Sequence, residues 1–123
     1  MKVLPNDVYS EKLLLALVLQ NPRQIGMVID QINTKDLFDA NHQKIYEAMI
    51  ALNKKSSPVT LATIIQELTK TKLLNIVGGI EFLEELNTIV ISEAELPTII
   101  NTIKEAAIKR MVYSLSDDLS NRR

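Results

Sequence analysis

Three side chains able to ligate a metal fall at three-residue spacing, Asp36, Asp39 and His42. Two carboxylates and an imidazole on one helical face would suit a divalent cation. A plainer assignment competes with this. Asn41 is placed to cap a helix, Asp39 then lies in the turn before it, and His42 lies in the first helical turn, where polar side chains serve unpaired N–H groups. No Glu-x-x-His pair completes a carboxylate-bridged site of the four-helix type. Gly78-Gly79 invites a phosphate loop but lacks the Gly-x-x-x-x-Gly-Lys-Ser/Thr pattern, and no strand precedes it, so a turn is expected. Glu81, Glu84 and Glu85 stand on the outer face of the next helix, as a solvated acidic face or a partner surface; paired-carboxylate glycoside chemistry would need a cleft. The basic candidates Lys104, Lys109, Arg110, Arg122 and Arg123 interleave with Glu105, Asp117 and Asp118. Ion pairing at i,i+4 and the C-terminal helix dipole account for most of them. A strand-tracking stripe would need stacking aromatics, and Phe38 and Phe82 occupy apolar positions.

Composition narrows the chemistry further. The 123 residues are 46% hydrophobic and 24% charged, the balance of a folded chain with one core. Fourteen Lys+Arg stand against 15 Asp+Glu, a net charge of −1 that argues against a dedicated nucleic-acid domain. Cysteine is absent, which removes disulfides, thiolate zinc sites and cysteine nucleophiles. With one histidine and no Trp, most metal and acid–base constellations cannot be assembled. The chain is expected to be small, cytoplasmic and without catalysis of its own, with no metal and no cofactor. The apolar run Leu13–Leu19 is far shorter than the ~20 residues that span a bilayer. Asp7 and Glu11 before it, and Asn21-Pro22-Arg23 after it, are wrong for a cleaved signal.

The elements that must position these residues are helical throughout. Asn6-Asp7 or Ser10 opens a first helix that runs to about Gln20, and Asn21-Pro22 stops it. A second helix carries Ile25, Val28, Ile29 and Ile32. A turn at Thr34–Phe38, capped by Thr34 or Asn33, is expected to bury both Leu37 and Phe38. The third helix shows Ile45, Ala48, Met49 and Leu52 at helical spacing. Thr60 caps a fourth with Leu61, Ile64, Ile65 and Leu68 inward. Gly78-Gly79 turns the chain with positive φ into a fifth carrying Phe82, Leu83, Leu86 and Ile89. Ile89-Val90-Ile91 has strand propensity but no partner strand. Pro97 places a last helix start near Glu93–Glu95. Ile99, Ile103, Ala107, Met111, Leu115 and Leu119, widened by Ile100, Ile108 and Val112, then form one long apolar stripe. The reading is all-α: a helical head of about five short helices over 1–91, then one long helix over 92–123. Part of that helix's apolar face is expected to await another chain.

The ordered run Pro5-Asn6, Glu11, Leu15, Asp36-Leu37-Phe38, His42, Ile45-Tyr46-Glu47-Ala48-Met49, Leu52, Pro58-Val59, Thr63, Leu68, Leu73, Val77-Gly78-Gly79, Phe82-Leu83, Leu86, Glu105, Ala107 and Arg110 resembles the N-terminal domain of the hexameric bacterial or phage replicative DNA helicases of the DnaB type. The chain departs from that pattern at Ala16, where the family usually has Gly, at Thr60, where Asp is usual, and near Ile99, where a tyrosine is often found.

The resemblance implies a helical head followed by a helical hairpin, of which the long helix is the first arm. Such domains pair through their hairpins, and three pairs form a collar. On this footing Ile99, Ile103, Ala107, Met111, Leu115 and Leu119 are the expected self-association surface. Primase is an expected partner, facing Glu81, Phe82, Glu85 and Tyr113, and a helicase loader is another. DNA would be touched only weakly, or through a separate motor domain holding ATP and Mg. The chain would then be an excised part of a longer helicase, unless a stand-alone copy exists. The alternatives are a helicase-binding adaptor module of primase or of a loader and, from another class, a small helical metalloenzyme or nucleotide hydrolase.

Overall fold

The computed structural model describes residues 4–121, with side chains from Leu4 to Leu119. Six α-helices follow one another: α1 (Val8–Gln20), α2 (Ile25–Gln31), α3 (Ala40–Lys54), α4 (Leu61–Lys70), α5 (Gly79–Thr88) and α6 (Leu96–Asn121). Short 3-10 turns at Pro22–Gln24, Thr34–Asp36 and Glu93–Glu95 lead into α2, α3 and α6. Among the described residues there is no strand, and Ile89–Ile91 is an irregular link. Arg122 and Arg123 lie outside the described residues.

α1 is the axle. All six residues from Leu14 to Leu19 are buried, as a helix without a polar side requires. α3, α5 and α6 pack around it, and α4 closes against α3 and α5. Gln20 seals the far end of α1, its Nε2 donating to the carbonyls of Leu86 at 3.0 Å and Ile89 at 2.8 Å. Those carbonyls lie at the C-terminal end of α5, where intrahelical partners run out.

Local chemistry sets the boundaries. Asp7 caps α1 by accepting from Ser10 N at 2.9 Å. Thr60 and Thr63 form a reciprocal capping box at the start of α4. Gly78 takes φ +117°, and a Cβ there would sit 2.8 Å from Phe82 Cβ, so both conformation and space demand glycine. α3 differs from expectation. Asp39, not Asn41, is its cap, with Oδ1 accepting from Asn41 N at 2.8 Å and His42 N at 3.1 Å. A carboxylate serves two unpaired N–H groups and the positive helix end together, which a neutral amide two residues later cannot match. Leu37 is buried, but Phe38 is 39% exposed, because the turn sends consecutive side chains to opposite sides.

Beneath that turn lies a buried carboxylate. Glu11, 1% exposed, accepts from Phe38 N at 2.6 Å, Asp39 N at 3.2 Å and His42 Nδ1 at 3.0 Å. It thereby fixes α1 to the entry of α3. Tyr46, fully buried, donates its hydroxyl to the Ile32 carbonyl at 2.7 Å and ties α3 to the end of α2. Burial, and secondarily the Asp36 charge, push the Tyr46 phenol well above its ordinary range.

Two outcomes follow from these two groups. Glu11→Ala strands two backbone donors and an imidazole, and should lower unfolding stability in urea by about 3–5 kcal/mol. Exposed carboxylates such as Glu84 should tolerate the same change within ~0.5 kcal/mol. For Tyr46, the folded chain holds a proton that the unfolded chain releases near pH ~10. Its contribution is therefore complete below that pH and declines above it. Urea titrations from pH 8 to 11 should show a steeper alkaline decline for the natural chain than for Tyr46→Phe. That variant should start about 1–2 kcal/mol lower at pH 8, with the Ile32 carbonyl unpaired.

Candidate interaction surface

The residues that suggested metal chemistry are each engaged elsewhere. Asp36 accepts from Asn33 N at 2.8 Å, Asp39 caps α3 and His42 faces Glu11. Among the described residues no three His, Asp or Glu side chains gather as a metal site would require. Among the described residues no helix is long and apolar enough to cross a membrane. What remains as a functional surface is apolar and helical.

α6 has 26 residues, roughly 39 Å at 1.5 Å per residue. Ser92 supports the turn before it, accepting from Ala94 N at 3.2 Å, and Pro97 lies in the first helical turn. Leu96, Ile99, Ile100 and Ile103 are buried in the same core as α1. Ala107 is half-buried. Beyond it Ile108, Met111, Val112, Leu115 and Leu119 are each 57–67% exposed. The expected single surface therefore divides. Ile99 and Ile103 are corrected from self-association residues to core residues, because α1 needs cover on that side and α6 provides it. Met111, Leu115 and Leu119 remain open.

Helical geometry explains the division. Each four-residue step covers ~400°, about 40° more than a full turn. Five such steps from Ile99 to Leu119 rotate the row by roughly 200°, from the head-facing side to the opposite one. Ile108 and Val112 fall beside Met111, Leu115 and Leu119, so the outer part of α6 presents a continuous apolar strip directed away from its own head. Tyr113, 49% exposed, lies off that strip by well over a quarter-turn.

Arg110 follows the head-facing row with Ile103 and Ala107, and its partners are not the ion pairs or helix dipole expected of it. Its Nη1 donates to the Pro5 carbonyl at 3.1 Å and its Nη2 to the Asp36 carbonyl at 2.6 Å. The guanidinium also lies 5.5 Å from the Phe38 ring centroid. Neither this role nor that of Glu11 was anticipated. An arginine continuing a buried apolar row was the available signal for Arg110; Glu11 carried none, since its partners are 27–31 residues away.

The second expected surface is less coherent. Glu81 and Glu85 are exposed on α5, and Glu85 pairs with Lys12 at 3.4 Å. Phe82 is half-buried, stacked on His42 at 6.3 Å between centroids, with Lys12 Nζ 5.7 Å from its ring centroid. Packing accounts for Phe82. Among the described residues no hydrogen bond, ion pair or ring contact links Tyr113 to the α5 residues.

Comparison with known proteins agrees with this architecture. The solved N-terminal domain of DnaB helicase from Mycobacterium tuberculosis superimposes with a TM-score of 0.90, over 96% of this chain and 82% of that one, at 24% identity; that likeness bears on the fold. The replicative DNA helicase DnaB of Rickettsia conorii is 31% identical over 123 residues, covering 98% of this chain. The replicative DNA helicase DnaC of Bacillus subtilis is 30% identical over 106 residues, 86% of this chain. The chain spans about a quarter of the length of these two relatives, 24% and 23%. The family model described as the DnaB-like helicase N terminal domain matches residues 3–105, and the chain belongs to that family.

Proposed function

We propose that this domain is a self-association and docking module of a hexameric replicative DNA helicase. In this reading the outer half of α6 is covered by a second copy, and pairs of copies build a collar. The observation that carries it is the apolar strip Ile108, Met111, Val112, Leu115 and Leu119, exposed and directed away from the head. Apolar side chains at that density on one helical face are the ordinary mark of a missing partner helix. Kinship with replicative helicases supports that assignment over an adaptor belonging to primase or a loader.

Catalysis, ATP and Mg are assigned to a motor domain outside this chain, and so are the main DNA contacts. Primase is the proposed docking partner on the exposed carboxylates of α5, Glu81 and Glu85, and a helicase loader is a further one. The proposed setting is the bacterial cytoplasm.

Size limits the strength of the pairing. From Ile108 to Leu119 the strip runs about 18 Å. Two such strips fall well short of the ~800 Å² per partner of a stable interface. The chain alone should therefore associate weakly, with a Kd of roughly 10 μM to 1 mM.

Sedimentation velocity across that range should show a mass that rises with concentration. Met111→Asp or Leu115→Asp should weaken association at least about tenfold, ~1.4 kcal/mol, with helicity unchanged because both residues are exposed. Ile103→Asp should instead unfold the head. A natural chain that stays monomeric at 1 mM, or a Met111→Asp chain that associates equally well, contradicts the proposal.

A further inference from the structure

α6 is held to its head by two kinds of contact separated along its length. Leu96, Ile99, Ile100 and Ile103 bury about two turns of it in the core. Seven residues beyond Ile103, about 10 Å along the axis, Arg110 makes a directional attachment of the second kind. Past it the helix is exposed as far as Ser116, the large apolar side chains of the strip included. A rocking of ~10° about Ile103 would carry Asn121 by about 5 Å. Packed side chains allow such rocking more readily than a hydrogen-bonded fork does.

The acceptors of Arg110 are well chosen for such a constraint. The Pro5 carbonyl lies just before α1, and the Asp36 carbonyl lies in the turn before α3. That second turn is itself immobilised, since Glu11 accepts from the backbone N–H groups of Phe38 and Asp39. A planar guanidinium reaches two carbonyls at once and covers an aromatic face, whereas an ammonium offers a point charge on a flexible stem.

We propose that Arg110 is the positioning residue that fixes the direction in which α6 leaves the head. It thereby sets the angle at which the apolar strip meets a sister copy. The direction follows from contacts within one protomer; only the consequence for assembly rests on the self-association reading.

The chain lacks cysteine, so paired spin labels can be placed without background. Ala62→Cys on α4 and Ser116→Cys on α6 are both exposed helical sites. Pulsed electron–electron dipolar spectroscopy, with labelled chain diluted into unlabelled chain, reads the head-to-helix distance within one protomer. The natural Arg110 should give a narrow distribution. R110M, which keeps the apolar stem and loses every donor, should broaden it about twofold while thermal unfolding of the head shifts by only a few degrees. R110K should stay broader than the natural chain.

An R110M distribution as narrow as the natural one overturns the proposal, and so does an R110K distribution fully restored, which would assign the role to charge alone. Broadening accompanied by collapse of the head's thermal transition also overturns it, because general loosening would then be the cause. Light scattering on the same samples separates the two ideas. A monomeric natural chain with a narrow distribution that broadens in R110M keeps Arg110 as the positioning residue and removes the self-association reading.

Discussion

A helix of 3.6 residues per turn cannot keep a four-residue apolar repeat on one side, and α6 is built on that mismatch. Its first turns spend their apolar row on α1, which is buried around its whole circumference and would otherwise be open along one flank. The same row, continued, rotates off the head and reappears as an exposed strip. One sequence pattern thus supplies an intramolecular seam and an outward surface, with no change of helix and no hinge. A strip on the head-facing side would be blocked by the protomer's own mass. On the opposite side it is open to a second copy.

That arrangement depends on the head being rigid where α6 leaves it. The buried Glu11 carboxylate provides much of this rigidity, because it gathers two backbone donors and the His42 ring at the junction of α1 and α3. A carboxylate with 1% exposure is costly unless its acceptors are used, and here both oxygens are. The turn it holds carries the Asp36 carbonyl that Arg110 grips and the Phe38 ring that Arg110 covers. His42 in turn stacks on Phe82, whose backbone course is fixed by Gly78. A contiguous set of contacts therefore runs from α5 through the α1–α3 junction to α6.

The parts of this structure legible in the sequence are those set by neighbours in the chain. Thr60 at the start of α4, the positive φ at Gly78, the stop at Asn21-Pro22 and the placement of Pro97 in a first turn all follow from backbone chemistry within a few residues. The burial of Leu14 to Leu19 follows from a run with no polar side. What was not legible depends on groups distant in sequence. Asp39, which caps α3 in place of Asn41, has its own backbone N–H held by Glu11, 28 residues upstream. Phe38, sent outward by its turn, finds its cover in Arg110, 72 residues further along the chain. The even apolar row of α6 concealed its own rotation, so Ile99 and Ile103 read as partners of Met111 and Leu115 although they face another way.

The outer strip of α6 is proposed as the surface that a second copy of the chain covers. Met111 lies within it, Met49 is buried and Met27 is half-buried in the head, so methionine methyl groups report on the strip and on the head separately. Methyl NMR with a soluble paramagnetic relaxation agent, repeated from dilute to millimolar protein, reads that covering at the strip itself. The Met111 methyl should become shielded as concentration rises while Met27 and Met49 keep their dilute values. A Met111 methyl as accessible at 1 mM as in dilute solution would contradict it.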